Sequence, residues 1–136
     1  MPVLDTSVLI DLMAGSRSAN HRRAVHFLAE LRAAGASLFT TRLNVAELYV
    51  GVERAPDRAA ELRRVEAVLD GLPVLEFDEA GARRFAVVLS RLYRKGRPIG
   101  DMDTLIASVA LTHGQSIVTR NPKHFVDVPD LVVQQY

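Results

Sequence analysis

Short apolar runs alternate with amphipathic helical patterns along this chain, and no other feature limits its possible folds as much. Residues 1–4, 37–40, 73–77, 116–119 and 131–133 read as strands. Between them, residues 6–13, 19–34, 42–54, 58–70, 78–95 and 101–113 carry apolar side chains at helical spacing. The expected inward faces are Val25, Leu28 and Leu31; Leu62, Val65 and Leu69; Phe85, Val88, Leu89 and Leu92; and Leu105, Ile106, Val109 and Ala110. Gly35 and Gly71 follow two of the helical patterns as stops, Pro56 ends a third, and Asp78 is placed to cap the 78–95 helix. Strands separated by helices run parallel, with the helices on the faces of the sheet. No repeat, low-complexity segment or long linker breaks residues 1–136, so one α/β domain is expected.

Composition removes several chemistries. With no cysteine, disulfides, thiolate zinc sites and thiol nucleophiles are excluded. A chain that is 49% hydrophobic and 24% charged can bury a core, unlike a disordered one. Asp5 and Asp11 interrupt the only early apolar run, and no apolar stretch approaches ~18 residues. Neither a secretory leader nor a membrane span is expected, and the expected location is the cytoplasm. The net charge of +1 conceals a bias: every basic residue except Lys95 and Lys123 is arginine. Genome composition accounts for such a bias. Arginine is also the side chain that grips phosphate through two parallel bonds.

In open α/β sheets the ligand site lies beyond the carboxyl ends of the strands. Acids that leave a strand, or that stand alone on an apolar helix, are therefore the candidates. Asp5 follows the first strand, in Leu4-Asp5-Thr6-Ser7, and is open to two roles, catalysis or helix capping. Glu47 lies in a helix, Asn44 to Val50, that reads as apolar on nearly all sides and hence buried. A carboxylate there needs a cation, a donor or a metal, and the plain alternative is an ion pair with Arg42 or Arg120. Asp101 and Asp103 both open a helix, where anions suit the dipole; one is free to cap, while two caps are one too many. Thr119-Arg120-Asn121 leaves a late strand. Asn121 can hold a water or phosphate, or serve turn chemistry with Pro122. Carboxylates converging from separate segments suit a hard ion such as Mg²⁺, which needs few protein ligands and can assist displacement at phosphorus. His21, His26 and His113 show no ligand spacing and read as surface or helix-end residues; His124 lies beside the inferred site but reads best as a loop or helix-end residue.

In order, Leu4-Asp5-Thr6-Ser7-Val8-Leu9-Ile10, Asn44-Val45-Ala46-Glu47-Leu48, Gly96 to Gly100 with Asp103-Thr104-Leu105-Ile106-Ala107, and Ile117 to Phe125 resemble the four motifs of the PIN-domain ribonucleases. More narrowly, they resemble the VapC toxins of type II toxin–antitoxin systems. The resemblance runs over essentially the whole chain. It implies a three-layer α/β/α fold with a central, mostly parallel sheet of four to five short strands. It implies an endoribonuclease whose Asp5, Glu47 and Asp103 hold Mg²⁺ or Mn²⁺, with Asp101 as a spare ligand. Phosphodiester hydrolysis would leave a 5′-phosphate and a 3′-hydroxyl. Thr6, Ser7, Thr119, Arg120 and Asn121 are then candidates for positioning the substrate. The implied substrate is tRNA or mRNA, and the implied partners are a VapB-type antitoxin, whose tail blocks the acidic pocket, and a second copy of the chain. Residues 19–34 and 42–70 are candidates for the antitoxin groove and the dimer face.

Two positions depart from the family pattern. Asn121 and His124 stand where many relatives carry acids. The pocket then rests on three acids, and a second metal would be weakly held. The departure also leaves open a degenerate scaffold that binds RNA or protein without cutting. Phosphoryl transfer through an aspartyl-phosphate, as in haloacid-dehalogenase-type phosphatases, needs an acid two residues after the nucleophile, where this chain has Ser7.

Overall fold

The strand–helix alternation closes into a parallel sheet covered by helices on both faces. The computed structural model describes residues 2–136; Met1, the start of the expected first strand, lies outside the described residues. The order is β1 (Pro2–Leu4), α1 (Thr6–Met13), α2 (Ala19–Ala33), β2 (Thr40–Thr41), α3 (Arg42–Arg54), α4 (Arg58–Leu69), β3 (Val74–Leu75), α5 (Glu79–Arg94), α6 (Asp101–Thr112), β4 (Ser116–Val118) and β5 (Val133–Gln134). A short 3₁₀ turn, Pro122–His124, lies between β4 and β5. Strands β1, β4 and β5 form one parallel sheet, with Pro2 opposite Ser116 and Ile117 opposite Val133. Strands β2 and β3 form a parallel pair, and a bridge between Val3 and Phe39 joins it to β1. The spatial order across that bridge is β3-β2-β1-β4-β5, so the first strand of the chain lies in the middle.

The two faces are distinguished within β4 itself, because successive strand residues point to opposite sides. Val118 packs with Leu4, Val8, Leu9, Leu28, Leu48 and Val65, the core beneath α1 to α4. Ile117 packs with Val88, Leu92, Ile106 and Phe125, the core beneath α5 and α6. Among the described residues no helix is long and apolar enough to cross a membrane.

Four sequence expectations are corrected. Val25 is 46% exposed, and Ala24 takes the buried position instead, with Leu28 one turn on. The small side chain lets α2 seat closely against the rest of the core, which rotates the buried face by one residue. Leu62 is likewise exposed, leaving Val65 as the buried residue of α4. Helix α3 is not apolar-buried on all sides: Val45, Leu48 and Val52 face the core while Tyr49 and Val50 face solvent. The strand expected over 37–40 pairs instead at Thr40–Thr41, because the ladder is set by its neighbour: the Thr40 amide donates to the Pro73 carbonyl.

Candidate active site

The carboxyl ends of β1 and β4 lie side by side, and what leaves them defines a cleft. Asp5 follows β1 directly. Its amide donates to the Val118 carbonyl of β4 at 3.0 Å, which fixes the residue at the seam of the two strands. Asp5 occupies the N-cap position of α1, yet its side chain makes no capping bond. The carboxylate accepts instead from the Thr119 hydroxyl (2.9 Å), the Asn44 amide (3.2 Å) and the Ser7 hydroxyl (3.4 Å). All four residues are buried. A buried anion costs several kcal/mol unless satisfied, and here every donor to it is neutral.

Asn44 is the joint between β1 and α3. It sits three residues after the Thr41 cap, and its Oδ1 accepts from the Thr41 amide and hydroxyl. That capping box fixes the side chain, so Nδ2 is aimed at Asp5 and, at 3.0 Å, at the Thr6 hydroxyl. Thr6 in turn donates to Glu47 at 2.6 Å. Glu47 lies one turn beyond Asn44, half-buried. Neither ion pair open to it forms: Arg42 pairs with Glu76, and Arg120 pairs with Asp11.

Asp103 reaches the cleft from the first turn of α6. Gly100, at φ +60°, makes the left-handed turn that starts this helix, a conformation that suits a residue without a Cβ. Asp103 is half-buried, with the His124 Nδ1 at 3.4 Å from its carboxylate. Burial pushes the Glu47 carboxyl above its usual range; the Thr6 hydroxyl partly opposes this, and the charges of Asp5 and Asp103 add to it. Asp103 is pushed up by burial and then by Asp5, with His124 opposing. Among the described residues Glu47 has no cation beside it, and His124 only partly offsets the field at Asp103.

The cleft brings together Asp5, Glu47, Asp101, Asp103, Arg120 and Asn121, with Thr6, Ser7 and His124 among its walls. Asp101 is exposed at its rim. Thr119 is wholly buried and turned onto Asp5, while Ser7 bonds Thr119 and Asp5 and accepts from the Arg120 amide. Both hydroxyls hold the acid, and of the two only Ser7 is on the cleft wall. His124, read as a loop residue, stands against Asp103. Asn44, Asp11 and Tyr136 were not singled out as site residues in the sequence. For Asn44 the available signal was its place three residues after a threonine cap.

Among the described residues no three His, Cys, Asp or Glu side chains stand close enough together to hold a metal ion as they are placed. The cleft is open, and its acids bring hard oxygen donors from three separate elements. That chemistry fits an octahedral divalent ion that keeps much of its own water, and the raised carboxyls of Glu47 and Asp103 mark charge that such an ion would neutralise.

The sequence pattern described as "PIN domain" matches residues 3–131. The chain is 31% identical to a tRNA(fMet)-specific endonuclease VapC of Shigella flexneri, over 69% of this chain and 71% of that one. It is 29% identical to ribonuclease VapC1 of Rickettsia felis, over 96% and 92%. Among solved structures it superposes on the DNA-bound VapBC of Salmonella typhimurium with a TM-score of 0.84 and 25% identity, covering 99% of this chain and 98% of that one.

Proposed function

The chain belongs to the PIN-domain family and, within it, to the VapC toxins, and from that premise we propose that it is a divalent-metal-dependent endoribonuclease of a toxin–antitoxin module acting in the cytoplasm. The observation that carries this reading is an acidic cleft without a lysine or arginine paired to its acids: Asp5, Glu47 and Asp103 come from three separate elements, and burial and neighbouring carboxylates push Glu47 and Asp103 above their usual range. Asp5, Glu47 and Asp103 would hold Mg²⁺, with Mn²⁺ as a substitute and Asp101 as a spare oxygen donor at the rim. The chemistry supplied by a bound ion is Lewis-acid assistance to the attack of water on a phosphodiester. The chain's own part is preorganisation. Thr119, Ser7 and Asn44 fix Asp5; Thr6 fixes Glu47; the turn at Gly100 delivers Asp103. Arg120 and Asn121, on the wall, are placed to orient the backbone of an RNA, and the products would carry a 5′-phosphate and a 3′-hydroxyl.

The proposed substrate class is RNA, tRNA before mRNA, as with the Shigella relative. A VapB-type antitoxin is the proposed partner. An apolar groove of about 640 Å³, lined by Ile10, Met13, Leu48, Gly51 and Arg64 among others, shares Ile10 and Glu47 with the acidic cleft. An apolar segment seated there would reach the acids with one basic side chain. A homodimer belongs to the same proposal.

The test is direct. Purified protein is incubated with labelled tRNA and mRNA in Mg²⁺, and the cut ends are mapped. Cleavage that disappears with chelator and with Asp5→Asn is expected. Cleavage indifferent to both would overturn the metal site, and binding without cleavage would favour the degenerate scaffold.

A further inference from the structure

Arg120 is the only lysine or arginine among the residues that wall the acidic cleft. A guanidinium beside three carboxylates should collapse onto one of them, yet its Nε is held 2.9 Å from Asp11, at the other end of α1 from Asp5. The Asp11 side chain is 5% exposed and that of Arg120 38%. The same carboxylate oxygen, Oδ2, also accepts from the phenol of Tyr136, whose ring lies 6.0 Å from that of Phe27. Burial and Asp11 raise the phenol's pKa, so it remains a donor throughout the neutral range. The Arg120 amide is tied separately to Ser7. The Arg120 side chain is thus anchored at Nε and its backbone at the amide; only Nε is committed to a carboxylate.

We propose that Arg120 grips a phosphate oxygen of the RNA entering the cleft, and that Asp11 and Tyr136 are positioning residues that hold its guanidinium off the metal-binding acids and toward the substrate. The proposal rests on the nuclease reading and names how that site takes its substrate. Its physical basis is competition. Arginine recognises phosphate through a planar fork of donors, and a fork that had paired with Glu47 or Asp103 could serve neither the substrate nor the ion. Asp11 offers it a different anion, buried and already hydrogen-bonded by the Tyr136 phenol. Tyr136 reaches this anion from 125 positions away in the chain, so the residue that aims the cation lies far from every motif that supplies the acids.

The test uses the full chain, with binding of a labelled RNA measured in EDTA and kcat and KM measured in Mg²⁺. Tyr136→Phe removes one hydroxyl. It should raise both Kd and KM about threefold to fivefold and leave kcat unchanged, since a contact made equally in ground and transition states acts on KM. Its dependence of log Kd on log salt should match the wild type, because no charge is lost. Arg120→Gln should raise Kd roughly tenfold and reduce the salt slope by about one phosphate contact. Arg120→Lys should restore the slope but not the affinity, because a point charge replaces a fork. A Tyr136→Phe protein that melts earlier yet binds RNA like the wild type would reduce the contact to a clasp and overturn the proposal, as would Arg120→Gln with unchanged Kd and KM. RNA bound through Arg120 but never cut would overturn the nuclease reading alone. RNA cut normally by both variants would overturn this inference alone, and RNA neither bound nor cut by the wild type would end both.

Discussion

Two buried aspartates bracket the same helix, and the protein treats them in opposite ways. Asp5, at the start of α1, is surrounded by hydroxyls and an amide: its hydrogen bonds are satisfied and its charge is left standing. Asp11, near the end of the helix, receives a guanidinium and a phenol, and its charge is cancelled. Burial alone therefore says little about what an acid is for. Satisfying an anion with neutral donors keeps it available to an incoming cation, whereas pairing it with a cation commits it to structure.

Substituting each aspartate in turn tests the contrast most severely. Asp5→Asn should lower cleavage by more than about 100-fold, beyond the loss usual for removing a partner of a metal ligand. Its melting temperature should hold or rise, because one charge leaves a repulsive cluster. Asp11→Ala should do the reverse. It should cost about 2 kcal/mol of stability in denaturant titration, less than a fully buried pair because Arg120 is partly solvated, and should raise KM for RNA, while cleavage at saturating RNA and Mg²⁺ persists. A destabilised Asp5→Asn, or an inactive but stable Asp11→Ala, would erase the distinction.

A second and smaller effect is the pH dependence of the metal-free protein. The Glu47 and Asp103 carboxyls sit above their usual values, so between the ordinary carboxylate range and the raised ones the native state binds more protons than the unfolded state. Stability then falls as pH rises through that window and is recovered on acidification. Melting curves of the wild type against Glu47→Gln and Asp103→Asn isolate the two groups, and each substitution should flatten the pH dependence. Millimolar Mg²⁺ at neutral pH should raise the wild-type melting temperature by binding the native state alone. Curves superimposable with and without the ion would assign the acids to structural roles.

The smallest effect separates the neighbours on α6. Residues two apart on a helix point about 200° around from each other, and Asp103 is half-buried among the acids while Asp101 is exposed at the rim. Asp103→Asn should abolish cleavage, whereas Asp101→Asn should change it by no more than about threefold, the scale of an ordinary surface substitution. Equal losses would give Asp101 the place of the acid missing at Asn121.

Local chemistry made much of this legible in advance. Helices α1 and α3 begin and end where their patterns do, at Thr6–Met13 and Arg42–Arg54, and Asp78 caps α5 as its position suggests. The five short strands and their parallel sense follow from the alternation. What escaped depends on partners far away in the chain. Whether Ala24 or Val25 faces inward is decided by how closely another helix approaches, and β2 is placed by where Pro73 offers a carbonyl. Asp11 reads as an interruption in an apolar run because its partners lie 109 and 125 positions downstream. Asn44 reads as a cap because one end of its amide is one; the other end serves Asp5, and only the packing of α3 beside β1 makes that visible.

The central place of β1 has a consequence for how the protein is made. The strand leaves the ribosome well before its neighbour β4 and the Thr119 hydroxyl that holds Asp5, which lie more than 110 positions later. Contacts so distant in sequence form late and slowly. During most of its synthesis the chain thus carries its first acid without the donors that orient it, and Glu47 without Asp103 across from it. The cleft comes into being only when β1 and β4 meet, so a ribosome stalled between them holds the early motifs of the site and none of its geometry.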